Sequence, residues 1–472
     1  MEGVKKGLFW SGFSQVGQTG IQLISTIILA RLLTPEDYGI MAMVAIFVAI
    51  ANIMVDSGLG GALLKMYNPD NTDFSTLFLY NLATSIFLYL LFFFFAPIIA
   101  EFYEKPILTN ILRVLMISII IYAISIVQFI KLLRALKFKT LAIIISLSSL
   151  MSLIIAALLA FNNYGIWALV FQQISYAFFY SVLLWIVVRF IPTMTFSIRS
   201  FREQSSFGIS LLLANLLNSF TDNINNNVIA KLVPVNQAGY FSQSNRLVLS
   251  LDGGLKGVLD KVLFPVFAKI HNKEEMKERY IELTKKVISL VFPIIALFAL
   301  FSEQIILLLL GEKWKDAAWM FRVLSFALLP MIVQTLSRNI LKSIGLTKYI
   351  LINETVKSAC ILIILFITSF WGIKYIVWGV VLAQTISCIF IMLFLSKGLN
   401  YPIFYHIRLI LSYTLPTMLS YFAALIINQY FLLTQIYINT FINLLVFVVF
   451  LMFFTLCFKQ KELLKILFKK VK

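Results

Sequence analysis

The first long apolar segment of the chain carries a row of hydroxyl and amide side chains. At 3.6 residues per turn they fall within an arc of about 100° on one helix face. They are Ser11, Gln15, Gln18, Gln22, Ser25 and Thr26. A polar stripe of this kind has the chemistry to bind a hydroxyl-rich ligand or to line a water-filled cavity.

A second polar stripe lies 200 residues further along the chain. Its members are Asn215, Asn218, Asp222, Asn225 and Asn226. The adjoining loops also match at this offset, residues 28–39 with residues 228–239, and both contain a glycine, Gly39 and Gly239. Six predicted helices separate the two copies. Because this number is even, the second copy runs through the membrane in the same direction as the first. The sequence therefore predicts two parallel repeats related by an axis along the membrane normal.

The two stripes have two interpretations. Ser, Asn and Gln often join neighbouring membrane helices, and each such contact contributes about 0.6–2 kcal/mol. Asp222 favours a hydrated cavity instead, because a charge inside a membrane costs several kcal/mol unless water or a partner surrounds it. We expect the stripes to face each other across a central cavity.

The eighth apolar segment is the most highly charged. Its polar residues share an arc of about 120°, and they include Asn245, Arg246, Asp252, Lys256 and Asp260. Arg246 lies about 10 Å inside the segment at 1.5 Å per residue, too deep to reach the membrane surface easily. We expect Arg246 to point into the cavity, and an ion pair with Asp222 is the alternative.

A charged pair is predicted to act as a gate. Asp56 precedes a glycine-rich stretch at residues 57–61, where the second helix is expected to loosen. Its counterpart at the 200-residue offset is Lys256. We expect the two opposite charges to meet across the two-fold axis when one side of the protein is closed.

The elements that position these residues are membrane helices. Hydrophobic residues make up 61% of the 472 residues and charged residues 13%, against about 45–50% and about 25% in soluble domains. Apolar runs of about 20 residues recur along the whole chain. The sequence predicts an all-α polytopic membrane protein with 14 transmembrane helices, which are two parallel-repeat six-helix bundles plus two C-terminal helices.

The predicted boundaries follow from these runs. They are 1–190 for a lobe of helices 1–6, 191–206 for a cytoplasmic linker, 207–396 for a lobe of helices 7–12, 397–458 for helices 13 and 14, and 459–472 for a basic tail. Only six of the 39 lysines and arginines fall in the odd-numbered loops: Arg31, Lys105, Lys231, Lys313, Lys315 and Lys374. By the positive-inside rule, both termini are expected to be cytoplasmic.

Residue types for metal, redox or catalytic chemistry are scarce. Cys360, Cys388 and Cys457 lie in apolar segments without paired spacing, and His271 and His406 are far apart in sequence. No P-loop or kinase motif is present. We expect no cofactor, no metal site and no enzymatic activity. The net charge of +18 reflects membrane orientation, so no nucleic-acid partner is expected.

Three stretches resemble the bacterial Wzx-type polysaccharide and O-antigen flippases. They are AlaArgLeuLeuThrProGluAspTyrGlyIleMetAla (30–42), ValAspSerGlyLeuGlyGlyAlaLeuLeu (55–64) and AlaGlyTyrPheSerGlnSerAsnArgLeu (238–247). The similarity is to the colanic-acid and teichuronic-acid exporter branch of the multidrug/oligosaccharidyl-lipid/polysaccharide exporter superfamily. It implies alternating access, with a polyprenyl-pyrophosphate-linked oligosaccharide moved from the cytoplasmic to the periplasmic leaflet of the bacterial inner membrane.

The resemblance also implies a cationic cavity. Arg246, with Lys256 and Arg31, would receive the pyrophosphate, while the amides bind sugar hydroxyls. The stripes themselves contain mostly amides, and Arg31 and Lys231 are equally interpretable as loop residues that position the headgroup.

Intramembrane carboxylates are the candidates for coupling to H⁺ or Na⁺. They are Asp56, Asp222, Asp252 and Glu354, each with an ordinary ion pair as the alternative. Lys357 lies three residues after Glu354, which predicts a local ion pair. Expected partners are the lipid-linked oligosaccharide, membrane lipids, and a polysaccharide polymerase or chain-length machinery.

Other functions remain open at this point. An ion-coupled antiporter of small molecules or drugs is the main alternative, and a peptidoglycan-precursor flippase is another. A membrane glycosyltransferase, polymerase or ligase would need a sizeable outward loop with catalytic residues, and the outward loops of this chain are short.

Overall fold

The computed structural model describes residue 17 and residues 20–56, 58–268, 270, 272–430 and 436–458. Some side chains within helices α10, α11, α18 and α19, defined below, lie outside this description. The described part of the chain consists of helices and short connections, without strands. Contacts between Cα atoms divide the chain into two compact units, residues 1–243 and 244–472.

The first unit contains the helices up to the beginning of α11. They are α1 (Gly20–Leu32), α2 (Pro35–Asp56), α3 (Leu59–Lys65), α4 (Asn71–Phe102), α5 (Ile107–Leu115), α6 (Ile117–Ala123), α7 (Ile126–Arg134), α8 (Phe138–Phe161), α9 (Ile166–Val187) and α10 (Ile198–Leu232). Their shared core is formed by apolar residues such as Leu77, Leu112 and Ile119, none of which is exposed.

The second unit begins within α11 and has its own core. Its helices are α11 (Val235–Ala268), α12 (Lys273–Leu300), α13 (Ser302–Leu309), α14 (Ala318–Ser325), α15 (Leu328–Ser343), α16 (Thr347–Ser369), α17 (Ile373–Leu399), α18 (Ile403–Tyr430) and α19 (Ile436–Cys457), with a 3₁₀ turn at Glu312–Ala317. Phe292, Tyr413 and Phe447 are buried at its centre.

Ten helical segments are long and apolar enough to cross a membrane, so the protein is a multi-pass membrane protein. Two shorter apolar helices, Gly20–Leu32 and Ile442–Cys457, lie near the ends of the described part. Helices α10 and α11 are absent from the ten because their amide and charged residues lower the mean hydropathy. The number of fourteen crossing helices and the lobe boundaries stay predictions.

Local sequence signals explain where the helices begin and break. Asp37 N donates to Thr34 Oγ1 (3.3 Å) and Thr34 N donates to Asp37 Oδ2 (2.9 Å), so a capping box precedes α2 with Pro35 in its first position. The helix ends at Asp56, and Gly58 has a φ of 66°, a left-handed conformation that favours glycine. The predicted loosening after Asp56 is confirmed.

Candidate functional site

The stripe of the first segment is described only from Gly20 onward, so Gln15 and Gln18 lie outside the described residues. Gln22 is exposed, whereas Ser25 and Thr26 are buried. Thr26 Oγ1 donates to the carbonyl oxygen of Gln22 (2.8 Å). The hydroxyl group of Thr26 therefore forms its hydrogen bond within its own helix and not with a neighbouring helix.

The second stripe lies on α10. Asn215 is half-buried, and the side chains of Asn218, Asp222, Asn225 and Asn226 lie outside the described residues. On α11, Arg246 is exposed and Asn245 has only 9% of its surface exposed. Convergence of the stripes on one cavity stays a prediction.

A mostly buried ion-pair network lies in the second unit and centres on Glu354 of α16. Its Oε1 atom lies 2.6 Å from Arg338 Nη2 on α15, and its Oε2 atom pairs with Lys357 Nζ. The exposed fractions of the three side chains are 18% for Arg338, 19% for Glu354 and 11% for Lys357. The predicted local pair of Glu354 and Lys357 is confirmed, and Arg338 is an additional partner.

Amide side chains extend this network across α15, α16 and α17. Arg338 Nη2 donates to Gln334 Oε1 (3.1 Å), and Gln334 Nε2 donates to the carbonyl oxygen of Gln384 (3.0 Å). Asn353 Nδ2 donates to Ser387 Oγ (3.0 Å). The bonds of Gln334 to Arg338 and Gln384 fix the orientation of Arg338 toward Glu354.

The charged residues of α11 join the same network. Asn339 Nδ2 of α15 donates to Asp260 Oδ1 (2.7 Å). Asp252 interacts electrostatically with Lys256, Arg338 and Lys357. The network thus contains three carboxylates and three cations, which keeps it close to neutral, as a membrane interior requires. Lys256 lies in the second unit and Asp56 in the first, and their predicted gate stays a prediction.

A backbone contact in the first unit joins the N-terminal turns of α2 and α11, where the two matching sequence stretches end. We call it the paired-glycine contact, and it consists of Pro35, Gly39, Val235 and Gly239. A Cβ atom added to Gly39 would lie 2.1 Å from the Val235 carbonyl oxygen, and one added to Gly239 would lie 1.8 Å from that of Pro35. Position 35 corresponds to 235 and 39 to 239, so the contact is reciprocal, as a local two-fold axis would make it.

Side chains reinforce the first unit beside this contact. Lys231 Nζ donates to the carbonyl oxygen of Phe102 and pairs with Glu104 Oε1 (3.1 Å). Tyr103 Oη donates to Asn227 Oδ1 (3.2 Å). The end of α10 is thereby attached to the end of α4, while Arg31 is exposed. The interpretation of Lys231 as a loop residue is wrong, because the residue lies in the last turn of α10, and its partners depend on tertiary packing.

These features define a helical membrane protein that keeps charges in its interior, and no group of metal-binding residues occurs in the portion of the chain that the structure describes. Residues 28–319 match the family model described as "Polysaccharide biosynthesis protein". This match covers more than half of the chain, so the protein belongs to that family.

Two relatives resemble the chain over about two thirds of its length. The teichuronic acid biosynthesis protein TuaB of Bacillus subtilis (strain 168) is 27% identical over 68% of this chain and 67% of its own. The succinoglycan biosynthesis transport protein ExoT of Rhizobium meliloti (strain 1021) is 27% identical over 66% of this chain and 64% of its own. The alignment thus spans slightly less than two thirds of ExoT.

The fold is also known from solved structures. The lipid II flippase MurJ in its inward closed conformation superposes with a TM-score of 0.74 at 16% identity, covering 95% of this chain and 98% of that one. At this identity the similarity establishes a shared fold. The family resemblance derived from the three sequence motifs is confirmed.

Proposed function

We propose that the protein flips a polyprenyl-pyrophosphate-linked oligosaccharide from the cytoplasmic to the periplasmic leaflet, by alternating access, for the synthesis of a surface polysaccharide. The observation that carries this proposal is the family match over residues 28–319. The names of TuaB and ExoT assign both relatives to polysaccharide synthesis or transport. The described helices are connected by short segments, and we assign transport rather than enzymatic activity.

The cavity in this proposal is lined by the two amide stripes. Arg246, Lys256 and Arg31 attract the pyrophosphate, and the amides bind sugar hydroxyls. The exposure of Gln22, Arg31 and Arg246 supports this, because an exposed polar side chain on a membrane protein needs water or a ligand. The protein has fourteen transmembrane helices in two parallel repeats, and the reciprocal paired-glycine contact supports the repeats.

In this proposal the protein lies in the inner membrane of a bacterial cell, and both of its termini face the cytoplasm. The energy source is an H⁺ or Na⁺ gradient, with Asp56, Asp222 and Asp252 as coupling carboxylates. Glu354 is a weaker candidate, because Arg338 and Lys357 already compensate its charge. A polysaccharide polymerase or its chain-length machinery receives the product.

Deletion of the gene tests the proposed function. We expect surface polysaccharide to be lost and its lipid-linked repeat unit to accumulate on the cytoplasmic leaflet, measured by mass spectrometry of extracted lipids. The wild-type gene should restore export, and Gly253→Ala should restore it equally, because a Cβ atom at that position meets nothing within 4 Å. Normal export in a deletion strain without a second exporter would contradict the proposal.

A further inference from the structure

Helix α9 presents a polar and aromatic face inside the first unit. Gln172, Tyr176 and Tyr180 follow one another at intervals of four residues, which places them on the same side of the helix. Gln172 Nε2 donates to Ser25 Oγ of the α1 stripe (2.7 Å). The face extends about 12 Å from Gln172 to Tyr180 at 1.5 Å per residue.

Three tyrosine rings form a parallel stack at the far end of this face. The ring centroids of Tyr176 and Tyr180 are 5.8 Å apart with 14° between planes, and those of Tyr122 and Tyr180 are 6.2 Å apart with 17°. The middle ring, Tyr180, has 5% of its surface exposed, whereas Tyr122 and Tyr176 are half-buried. Each outer ring therefore retains accessible surface.

Asp56 is a charged residue within electrostatic range of the tyrosine stack. It interacts electrostatically with Tyr122 and Tyr180, and it is half-buried at the end of α2. Among the described residues of its own unit, Asp56 has no ion-pair partner. A carboxylate in this position requires hydrogen-bond donors from hydroxyl groups or water, and the hydroxyls of a sugar can supply them.

We propose that Asp56, Tyr176 and Gln172 form a carbohydrate-binding subsite that holds the sugar part of the lipid-linked substrate. One face of a sugar ring carries C–H groups, which pack on the electron-rich face of an aromatic ring. Its hydroxyls donate to the Asp56 carboxylate and exchange hydrogen bonds with the Gln172 amide. This subsite rests on the proposed function and adds residues outside the two amide stripes to those that bind the sugar.

The ring geometry favours a sugar over an organic cation. A cation site built from aromatic rings directs several ring faces toward one point. Here the three rings are nearly parallel, so their faces do not converge. The flat ring of Tyr176, on the same side of α9 as the Gln172 amide, suits a sugar ring.

Binding of two purified lipids to the detergent-solubilised protein tests the subsite. The probes are the polyprenyl-pyrophosphate oligosaccharide extracted from the deletion strain and the same polyprenyl pyrophosphate without sugar. We expect Tyr176→Ala and Asp56→Asn each to weaken binding of the glycosylated lipid by about tenfold. Binding of the sugar-free lipid should change by less than about twofold, because the subsite holds only the sugar.

Two further variants separate the subsite from folding defects. Tyr176→Phe retains the ring and should retain most of the sugar-dependent affinity. Phe178→Ala removes an exposed ring from the same helix and should leave both affinities unchanged. Equal losses for both lipids, or no loss for the glycosylated one, would overturn the subsite while leaving the proposed function intact. Failure of the wild-type protein to bind the glycosylated lipid would instead contradict the proposed function.

Discussion

Glu354→Ala is expected to lower the free energy of unfolding by about 3–5 kcal/mol, since removal of one partner leaves buried charges uncompensated. Arg338 and Lys357 would both lose their carboxylate partner. They are mostly buried in apolar helices, where bulk water compensates them poorly. Unfolding of the purified protein in a denaturing detergent titration measures the loss.

The matched control is an exposed ion pair. Arg199 Nε lies 3.1 Å from Glu203 Oε1 on α10, with side chains 90% and 52% exposed, and such pairs contribute about 0–1 kcal/mol. Glu203→Ala should therefore change stability little. Replacing Glu354 and Lys357 together by Met should recover much of the loss, because it leaves the network with equal numbers of carboxylates and cations. Equal losses for Glu354→Ala and Glu203→Ala would contradict a buried network.

Gly39→Ala and Gly239→Ala are expected to be the second most disruptive changes. Each added methyl group would lie about 2 Å from a carbonyl oxygen in the first turn of the opposite helix. Backbone atoms cannot rotate away as a flexible side chain does, so the two helix ends must separate. We expect each variant to lose about 1–3 kcal/mol of stability, the range for overpacking, and to lose most export activity.

The double variant Gly39→Ala/Gly239→Ala tests whether the two close approaches belong to one reciprocal contact. Once one methyl group has separated the two helix ends, the second should add little. The stability loss of the double variant should therefore be smaller than the sum of the losses of the two single variants. Gly253→Ala on α11 is the control, because a Cβ atom there meets nothing within 4 Å. Ala also favours the helix by about 0.5–1 kcal/mol over Gly. Additive losses, or stability equal to that of Gly253→Ala, would contradict the contact.

The two predictions concern different kinds of contact. The ion-pair network connects α11 with α15 and α16 within the second unit, and its charges compensate one another. The paired-glycine contact depends on close backbone approach, so it can form and separate without breaking an ion pair. We expect Glu354 variants to lose protein, and Gly39 variants to retain folded protein with impaired export.

The sequence by itself determined the helical membrane class and several local features. The membrane class can be predicted from hydropathy, which depends only on the composition of each segment. The capping box can be predicted because Thr34 and Asp37 are only three positions apart. The break between Asp56 and Gly58 follows from glycine's backbone freedom. Glu354 and Lys357 lie about one helical turn apart, so their ion pair follows from their spacing in the sequence. All of these depend on residues close in sequence, so local periodicity sufficed.

Only the tertiary structure decided which helix faces which. The partnership of Arg338 with Glu354 joins two helices, and the tyrosine stack joins residues more than fifty positions apart. The offset of 200 residues matched Gly39 with Gly239. It did not show that Gly39 contacts the first turn of α11 or that Gly239 contacts the first turn of α2. Periodicity gives the direction of a side chain around its own helix axis, whereas its neighbour depends on the packing of helices far apart in the chain.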